Sequence, residues 1–216
     1  VFQDIEGLKN LMGGNEMFVR MLDSVFIMPP DFGDYSYYGG IIHEMREMQV
    51  MDMGQYAHGN QPIQHMTYLY NYAGQPWKSQ YWIREVMNKL YTSYPDGYCG
   101  DEDNGQTSAW YVFSALGFYP VTPASTQYVV GTPLFKKAEI SFENGKKLTI
   151  NAPLASITNK YVKTMSLNGK PIVKNHVDHF DIIKGGTIQF GMSAVPEKSR
   201  GAGSLAFPYS MSLHDN

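Results

Sequence analysis

The chain has 216 residues, enough for one large domain or two small ones, and its composition is that of a soluble globular protein. A formal net charge of −3 offers no attraction for nucleic acid or an anionic membrane, and the single Cys99 excludes an internal disulfide and a cysteine zinc cluster. No run of about 18 apolar residues predicts a spanning helix, so no transmembrane segment is expected.

In chain order, residues 4–12 read as a short helix stopped by Gly13-Gly14, and Asn15 is placed to cap the next one. There Phe18, Met21, Leu22, Val25 and Phe26 recur at three- and four-residue steps until Pro29-Pro30. Residues 31–40 form a loop with an aromatic cluster. A helix is expected over 42–51. The polar stretch 55–61 leads to Pro62, suited to the first residue of a helix that carries Ile63, Met66 and Tyr70. Pro76 opens another, with Trp77, Tyr81, Ile83, Val86, Met87, Leu90 and Tyr91 on a broad apolar face. The glycine- and acid-rich loop 95–106 follows, then a helix over 107–116 closed by Gly117.

After Phe118 the pattern changes. Pro120 and Pro123 mark a linker, and period-two alternation takes over. Residues 138–142 and 147–151 flank Asn144-Gly145, which predicts a hairpin with a type I′ turn. Residues 161–173 around Asn168-Gly169 predict a second hairpin, and residues 179–192 around Gly185-Gly186 a third. The tail from Glu197, rich in Ser, Gly and Pro, is expected to be loosely ordered apart from Phe207-Pro208-Tyr209. Helices first and strands afterwards define an α+β chain and exclude a doubly wound sheet. The expected division is 1–122 helical, 123–196 β-rich and 197–216 tail. Paired helices with long loops favour part of an α/α toroid over a compact bundle.

Three polar segments carry candidate chemistry. In His43-Glu44-Met45-Arg46-Glu47, His43 and Glu47 share a helix face. Glu at 47 breaks the His-Glu-x-x-His pattern, so zinc is not expected, and a plain helix-end salt-bridge set is the alternative. In residues 58–65, amide and carbonyl oxygens ahead of a helix suit a hard cation or sugar hydroxyls, while Asn60 as an ordinary cap is the alternative. In the acidic loop, Asp101 and Asp103 point to one side of a locally extended segment and Glu102 to the other. They serve either as catalytic or metal-facing carboxylates or as a solvated cap, with Asp103 or Asn104 at the N-cap. An EF-hand is excluded, because Val112 stands where the bidentate Glu belongs. Glycoside hydrolysis needs two carboxyls, about 6.5–9.5 Å apart for inversion, so a base from this loop needs an acid from elsewhere. The 16 tyrosines and 3 tryptophans supply rings of the kind that stack on sugars, although Tyr-rich cores also form without ligand.

Residues 98–106 (Tyr-Cys-Gly-Asp-Glu-Asp-Asn-Gly-Gln), with Ser108-Ala109-Trp110-Tyr111, resemble the C-terminal signature of glycoside hydrolase family 92. So do Leu11-Met12-Gly13-Gly14, Gly59-Asn60-Gln61-Pro62, residues 68–77 and residues 113–121. The resemblance covers the chain to about Pro196. It implies a calcium-dependent exo-α-mannosidase acting on mannose-containing glycans, for example α-1,2-linked, and exported to a bacterial periplasm or cell surface. It implies the C-terminal part of an (α/α)6 barrel followed by an antiparallel β-sandwich-like segment. It also implies an inverting mechanism with a base at Asp101 or Asp103, a metal shell including Glu44, Asn60 and Asp103, and sugar contacts from His43, Glu44, His65 and Trp77. The family's acidic Glu-Gly-Asn-x-Trp-x-Tyr motif is absent. Together with a start at Val1-Phe2-Gln3, this leads us to expect a missing N-terminal part of the same chain and an inactive isolated fragment. Gln61 stands where many members carry Glu. A non-catalytic glycan-binding or scaffold module is the alternative reading.

Overall fold

A computed structural model describes residues 2–33 and 39–213. The tyrosines of the expected aromatic loop, Tyr35, Tyr37 and Tyr38, lie outside them. The helices are α1 (Ile5–Leu11), α2 (Asn15–Ile27), α3 (His43–Met51), a 3₁₀ helix (Gln61–Ala73), α4 (Pro76–Lys89) and α5 (Gln106–Leu116). Asn15 is the first helical residue of α2, and the cap position falls to Gly14 at φ +99°. Pro76 opens its helix as expected, Pro62 stands second in its own after Gln61, and Gly117 ends α5 in the left-handed region.

The 3₁₀ helix is the centre of the helical layer. It runs 13 residues, where about 3–4 is usual. Its side chains are buried on every row: Gln64, Thr67, Tyr70 and Ala73 on one, His65, Tyr68 and Asn71 on the next, Leu69 and Tyr72 on the third. A helix buried all round lacks the one-sided stripe that sequence periodicity reads. Phe18, Leu22, Phe26, Ile83, Val86 and Trp110 pack around it.

Two sheets follow. The first orders as β1 (Phe118–Tyr119), β2 (Gln127–Val130) and β7 (His176–Asp178), all antiparallel. The second orders as β3 (Lys137–Ser141), β4 (Lys147–Asn151), β8 (Gly186–Ser193), β5 (Tyr161–Leu167) and β6 (Lys170–Pro171). The second is not wholly antiparallel, because β4 and β8 pair in parallel. The first sheet is a wall between two cores. Phe118 opposes Val130 and Tyr119 opposes Val129. Tyr119 and Val129 face the helical core, while Phe118 and Val130 face the β core with Leu148, Ile150, Ile188 and Phe190. Strand alternation thus serves both layers at once. The expected linker is therefore an ordered approach to this wall: Val121 and Thr122 are buried, and Thr122 donates its hydroxyl to the Phe2 carbonyl at 2.9 Å. Arg84 of α4 adds a second tie, donating to the carbonyls of Pro133 and Ser156 at 2.6 Å each.

The predicted hairpins fare unequally. At Asn168-Gly169 both residues take positive φ, +51° and +80°, as a type I′ turn requires. At Asn144-Gly145 only Gly145 does (+75°), so that hairpin closes by a different turn, with Gly145 N–H donating to the Phe142 carbonyl at 3.0 Å. The third hairpin does not form. The Asp178 carboxylate accepts the Phe180 N–H at 2.9 Å and turns His179–Ile182 into a single helical turn, α6. Strand β8 pairs instead with β4 and β5.

The tail is also pinned rather than loose. Arg200 is buried and donates to the carbonyls of Ile172 and Lys174, and Asn175 Nδ2 donates to Gly201 O at 2.8 Å. The Asp4 carboxylate accepts the Ser210 hydroxyl at 2.8 Å, the Ser212 hydroxyl at 2.7 Å and the Ser212 N–H at 3.1 Å. Those bonds hold its pKa well below the usual carboxylate range. A depressed carboxylate stabilises above its unfolded pKa and loses that contribution as pH falls. Asp4→Ala is therefore expected to free residues 204–213 for proteolysis at pH 7, and acidification from about pH 4 downward to weaken the tether progressively. Equal protease resistance of Asp4→Ala and wild type at pH 7 would refute the tether. Among the described residues no helix is long and apolar enough to cross a membrane.

Candidate functional site

The acidic loop folds back on itself before α5. Asp103 and Asn104 sit at φ +56° and +55°, followed by Gly105 at +100°. Three successive left-handed residues are tolerated because Asp and Asn enter that region more readily than other side chains and Gly enters it freely. The cap expected of Asp103 or Asn104 comes instead from Glu102. Its carboxylate accepts the Gly105 N–H and the Ser108 hydroxyl at 2.6 Å each, which lowers its pKa. Glu102 is thereby committed to the helix start. The side chains of Asp101, exposed, and Asp103, half-buried, make no hydrogen bond or ion pair. Of the three carboxylates, one is structural and two remain available for chemistry.

Beneath the loop lies a buried polar network. Thr107 Oγ1 donates to Asp101 O at 3.0 Å, and Gln64 Nε2 donates to Thr107 Oγ1 and His58 O at 3.2 Å. Gln106 Nε2, at the start of α5, donates to Tyr119 Oη at 2.6 Å. His58 is fully buried with both ring nitrogens at 2.7 Å from tyrosine hydroxyls, those of Tyr56 and Tyr91. Burial pushes its pKa down to about 3, so it is neutral at pH 7. The loop carrying Asp101 and the segment carrying Gly59 and Asn60 thus share one scaffold.

A cleft of about 510 Å³ opens beside Asp101. Arg46, Glu47 and His43 of α3 line one side, with Cys99, Gly100 and Asp101 opposite. The structure therefore brings His43 and Asp101 to a common cavity. Glu44 is partly buried, 3.3 Å from His43 Nε2, and among the described residues this is the one contact left of the salt-bridge set considered for α3. Asn60 occupies the cap position of the 3₁₀ helix but its side chain makes no cap bond. His65 lies in a separate cavity with Gln61, Gln106 and Tyr119, its ring 4.2 Å from that of Phe2. Its Nδ1 is buried without a partner, and burial holds its pKa down to about 4.

Trp77 is elsewhere. It lines a third cavity with Asp23, Trp82 and Tyr161, near the start of α4, whereas the acidic loop leaves the other end of that helix. At 1.5 Å per residue the two ends are about 20 Å apart along the axis, so Trp77 does not share the Asp101 cleft. Sequence reasoning placed Glu47 on the helix face of His43 and used it to break a zinc pattern, but did not name it as a site residue. Among the described residues no three His, Cys, Asp or Glu side chains converge as a metal group. Glu44, Asn60 and Asp103 are nevertheless hard oxygen donors, the type calcium takes, and number fewer than the 6–8 it needs.

Residues 1–194 match the model of the glycosyl hydrolase family 92 catalytic domain. The chain belongs to this family of glycoside hydrolases. Among solved structures it is similar to a family 92 inverting mannosidase of Bacteroides thetaiotaomicron, with 50% identity and a TM-score of 0.84, covering 98% of this chain and 29% of that one. A second α-mannosidase of the same family and organism is 36% identical with a TM-score of 0.85, over 100% of this chain and 26% of that one. A fungal relative, an uncharacterized secreted glycosidase of Arthroderma benhamiae, is 27% identical over 96% of this chain and 24% of its own length. The chain thus spans between about a quarter and three tenths of these relatives.

Proposed function

We propose that this chain forms part of an exported exo-α-mannosidase that hydrolyses terminal α-mannosides of glycans with inversion, using calcium. The observation that carries the reading is the division of labour in the acidic loop: Glu102 caps α5, while Asp101 and Asp103 carry unbonded carboxylates and Asp101 lines the cleft that His43 shares. Its support from relatives is the mannosidase description of both Bacteroides structures, and for export the secreted fungal glycosidase.

In this reading, Asp101 or Asp103 takes a proton from a water poised to attack the anomeric carbon. A carboxylic acid supplied from outside this chain protonates the departing oxygen. Glu44, Asn60 and Asp103 would contribute oxygen ligands to calcium, with sugar hydroxyls, water or other parts of the protein completing the shell. Bound calcium would supply positive charge that orients the sugar's hydroxyls. His43 and Glu44 would contact the sugar at the mouth of the cleft, and His65 would contribute from its separate cavity. Trp77 would serve a more distant part of a glycan.

The test is hydrolysis of an α-1,2-linked mannobiose by the full-length protein, followed by proton NMR. The expected first product is β-mannose, and activity should disappear with a calcium chelator and return on adding calcium. The isolated 216-residue chain should release no mannose, for want of the acid. Release of α-mannose first, chelator-insensitive turnover, or activity of the isolated chain would each overturn the corresponding part of the reading.

A further inference from the structure

The His58–Gly59 peptide is gripped at both ends. Its carbonyl accepts from Gln64 Nε2 at 3.2 Å, and its N–H donates to Glu47 Oε1 at 2.6 Å. Gln64 continues through Thr107 to the backbone of Asp101. On the other side, Glu47 is 7% exposed and its Oε2 is buried, with the Cys99 thiol as a polar neighbour of the carboxyl. That oxygen packs against glycine. A Cβ on Gly59 would meet Glu47 Oε2 at 2.5 Å and Gly100 Cα at 3.0 Å, and a Cβ on Gly100 would meet Gly59 Cα at 2.7 Å. Neither glycine has positive φ, so contact rather than conformation demands glycine at both positions. Two backbones therefore touch directly, with the Glu47 carboxyl at their junction.

We propose that Glu47 is a positioning residue: its buried carboxyl locks Gly59 against Gly100 and so fixes the distance between Asn60 and Asp101. The inference rests on the hydrolase reading for its consequence in catalysis, but the lock itself is a statement about two loops. Cys99, adjacent to Gly100, lines the same cleft. Burial, then the neighbouring Glu47 carboxylate, pushes its thiol up to about 12, so in the locked arrangement it is a poor nucleophile. Its alkylation rate reports whether the loops are together. Its peptide can be followed separately from any other cysteine.

The experiment compares wild type, Glu47→Ala, Glu47→Gln and Gly100→Ala in the full-length protein. It measures kcat and KM on an aryl α-mannoside and the rate of iodoacetamide labelling at Cys99. Displacing a reacting group by about 1 Å costs on the order of 100-fold, so Glu47→Ala and Gly100→Ala are expected to lose about that much in kcat with little change in KM. Both should label Cys99 about 10-fold faster than wild type, because the thiol loses its burial once the loops part. Glu47→Gln retains an acceptor oxygen for the Gly59 N–H and is expected to recover most of the kcat and the slow labelling. A purely structural residue would lower thermal stability and active fraction while leaving kcat per folded molecule intact. Unchanged kcat in Gly100→Ala, labelling that does not rise, or a Gln variant as impaired as Ala would overturn the lock. A wild type that hydrolyses no mannoside overturns the hydrolase reading instead, and the labelling comparison still decides the lock.

Discussion

The double exchange Asp101→Asn with Asp103→Asn in the full-length protein is expected to lower kcat by about 10²–10⁴, the usual contribution of a general base. Asparagine matches aspartate in size, and neither side chain makes a hydrogen bond or ion pair. Substitution away from packed or bonded features usually changes stability by no more than about 0.5 kcal/mol. The loop conformation should survive, because Glu102 and not either aspartate holds Gly105 and Ser108. Activity and folding are therefore separable here. The single exchanges assign the base: one should reproduce most of the loss in kcat. If Asp103 instead serves the metal, its exchange should raise the calcium concentration needed for half-maximal rate. Glu102→Gln is the opposite control, since it weakens the cap of α5 without removing a free carboxylate. A double variant with full kcat would sink the assignment of either aspartate as base.

How much of this arrangement the sequence carried depended on whether the signal was local. Pro62, Pro76, Gly117 and Asn168-Gly169 act through their own backbone restrictions, and each did what its residue type dictates. At Asn144-Gly145 the predicted hairpin forms but closes by a competing turn, and the stretch after His179 fails because of the Asp178 cap. The division of Phe118 and Tyr119 between two cores was invisible, because alternation looks the same whether one face or both are buried. Pro120 and Pro123 suggested a tether, whereas Val121 and Thr122 between them are buried. The order of the tail rests on Asp4, some 200 residues away in sequence, and no window of the chain contains both partners. The acidic loop itself was legible from its composition. Which of its carboxylates is spent on structure was not, since that depends on Ser108 lying within reach of Glu102 once α5 has formed. Glu47 was hidden for a similar reason: its partner is the N–H of Gly59, which only the packing of α3 against the following loop supplies.

Trp110→Ala is expected to destabilise this part of the protein by about 3–5 kcal/mol, the range for truncating a buried large aromatic. The ring is fully buried. It meets His58 edge-on at 4.4 Å, lies parallel to Tyr91 at 5.9 Å, and donates Nε1–H to Gln64 O at 3.0 Å. Removing it would open a cavity against a neutral imidazole whose ring nitrogens bond two tyrosine hydroxyls, and would leave the Gln64 carbonyl with the Thr67 hydroxyl at 3.3 Å but without the indole N–H. Because Gln64 also donates to Thr107 and His58 O, the damage should spread to the floor of the acidic loop. Trp110→Phe isolates the polar part. It keeps most of the ring packing and loses one hydrogen bond to a carbonyl that Thr67 still serves, so about 0.5–1.5 kcal/mol should account for most of its effect. Amide exchange read at residues 58–71 and 101–110 measures both variants, even within a larger protein. Trp110→Ala should cost both segments protection together, and Trp110→Phe should cost them less. Loss confined to α5, with residues 58–71 protected as in wild type, would show that Trp110 supports its own helix only and does not couple the two loops.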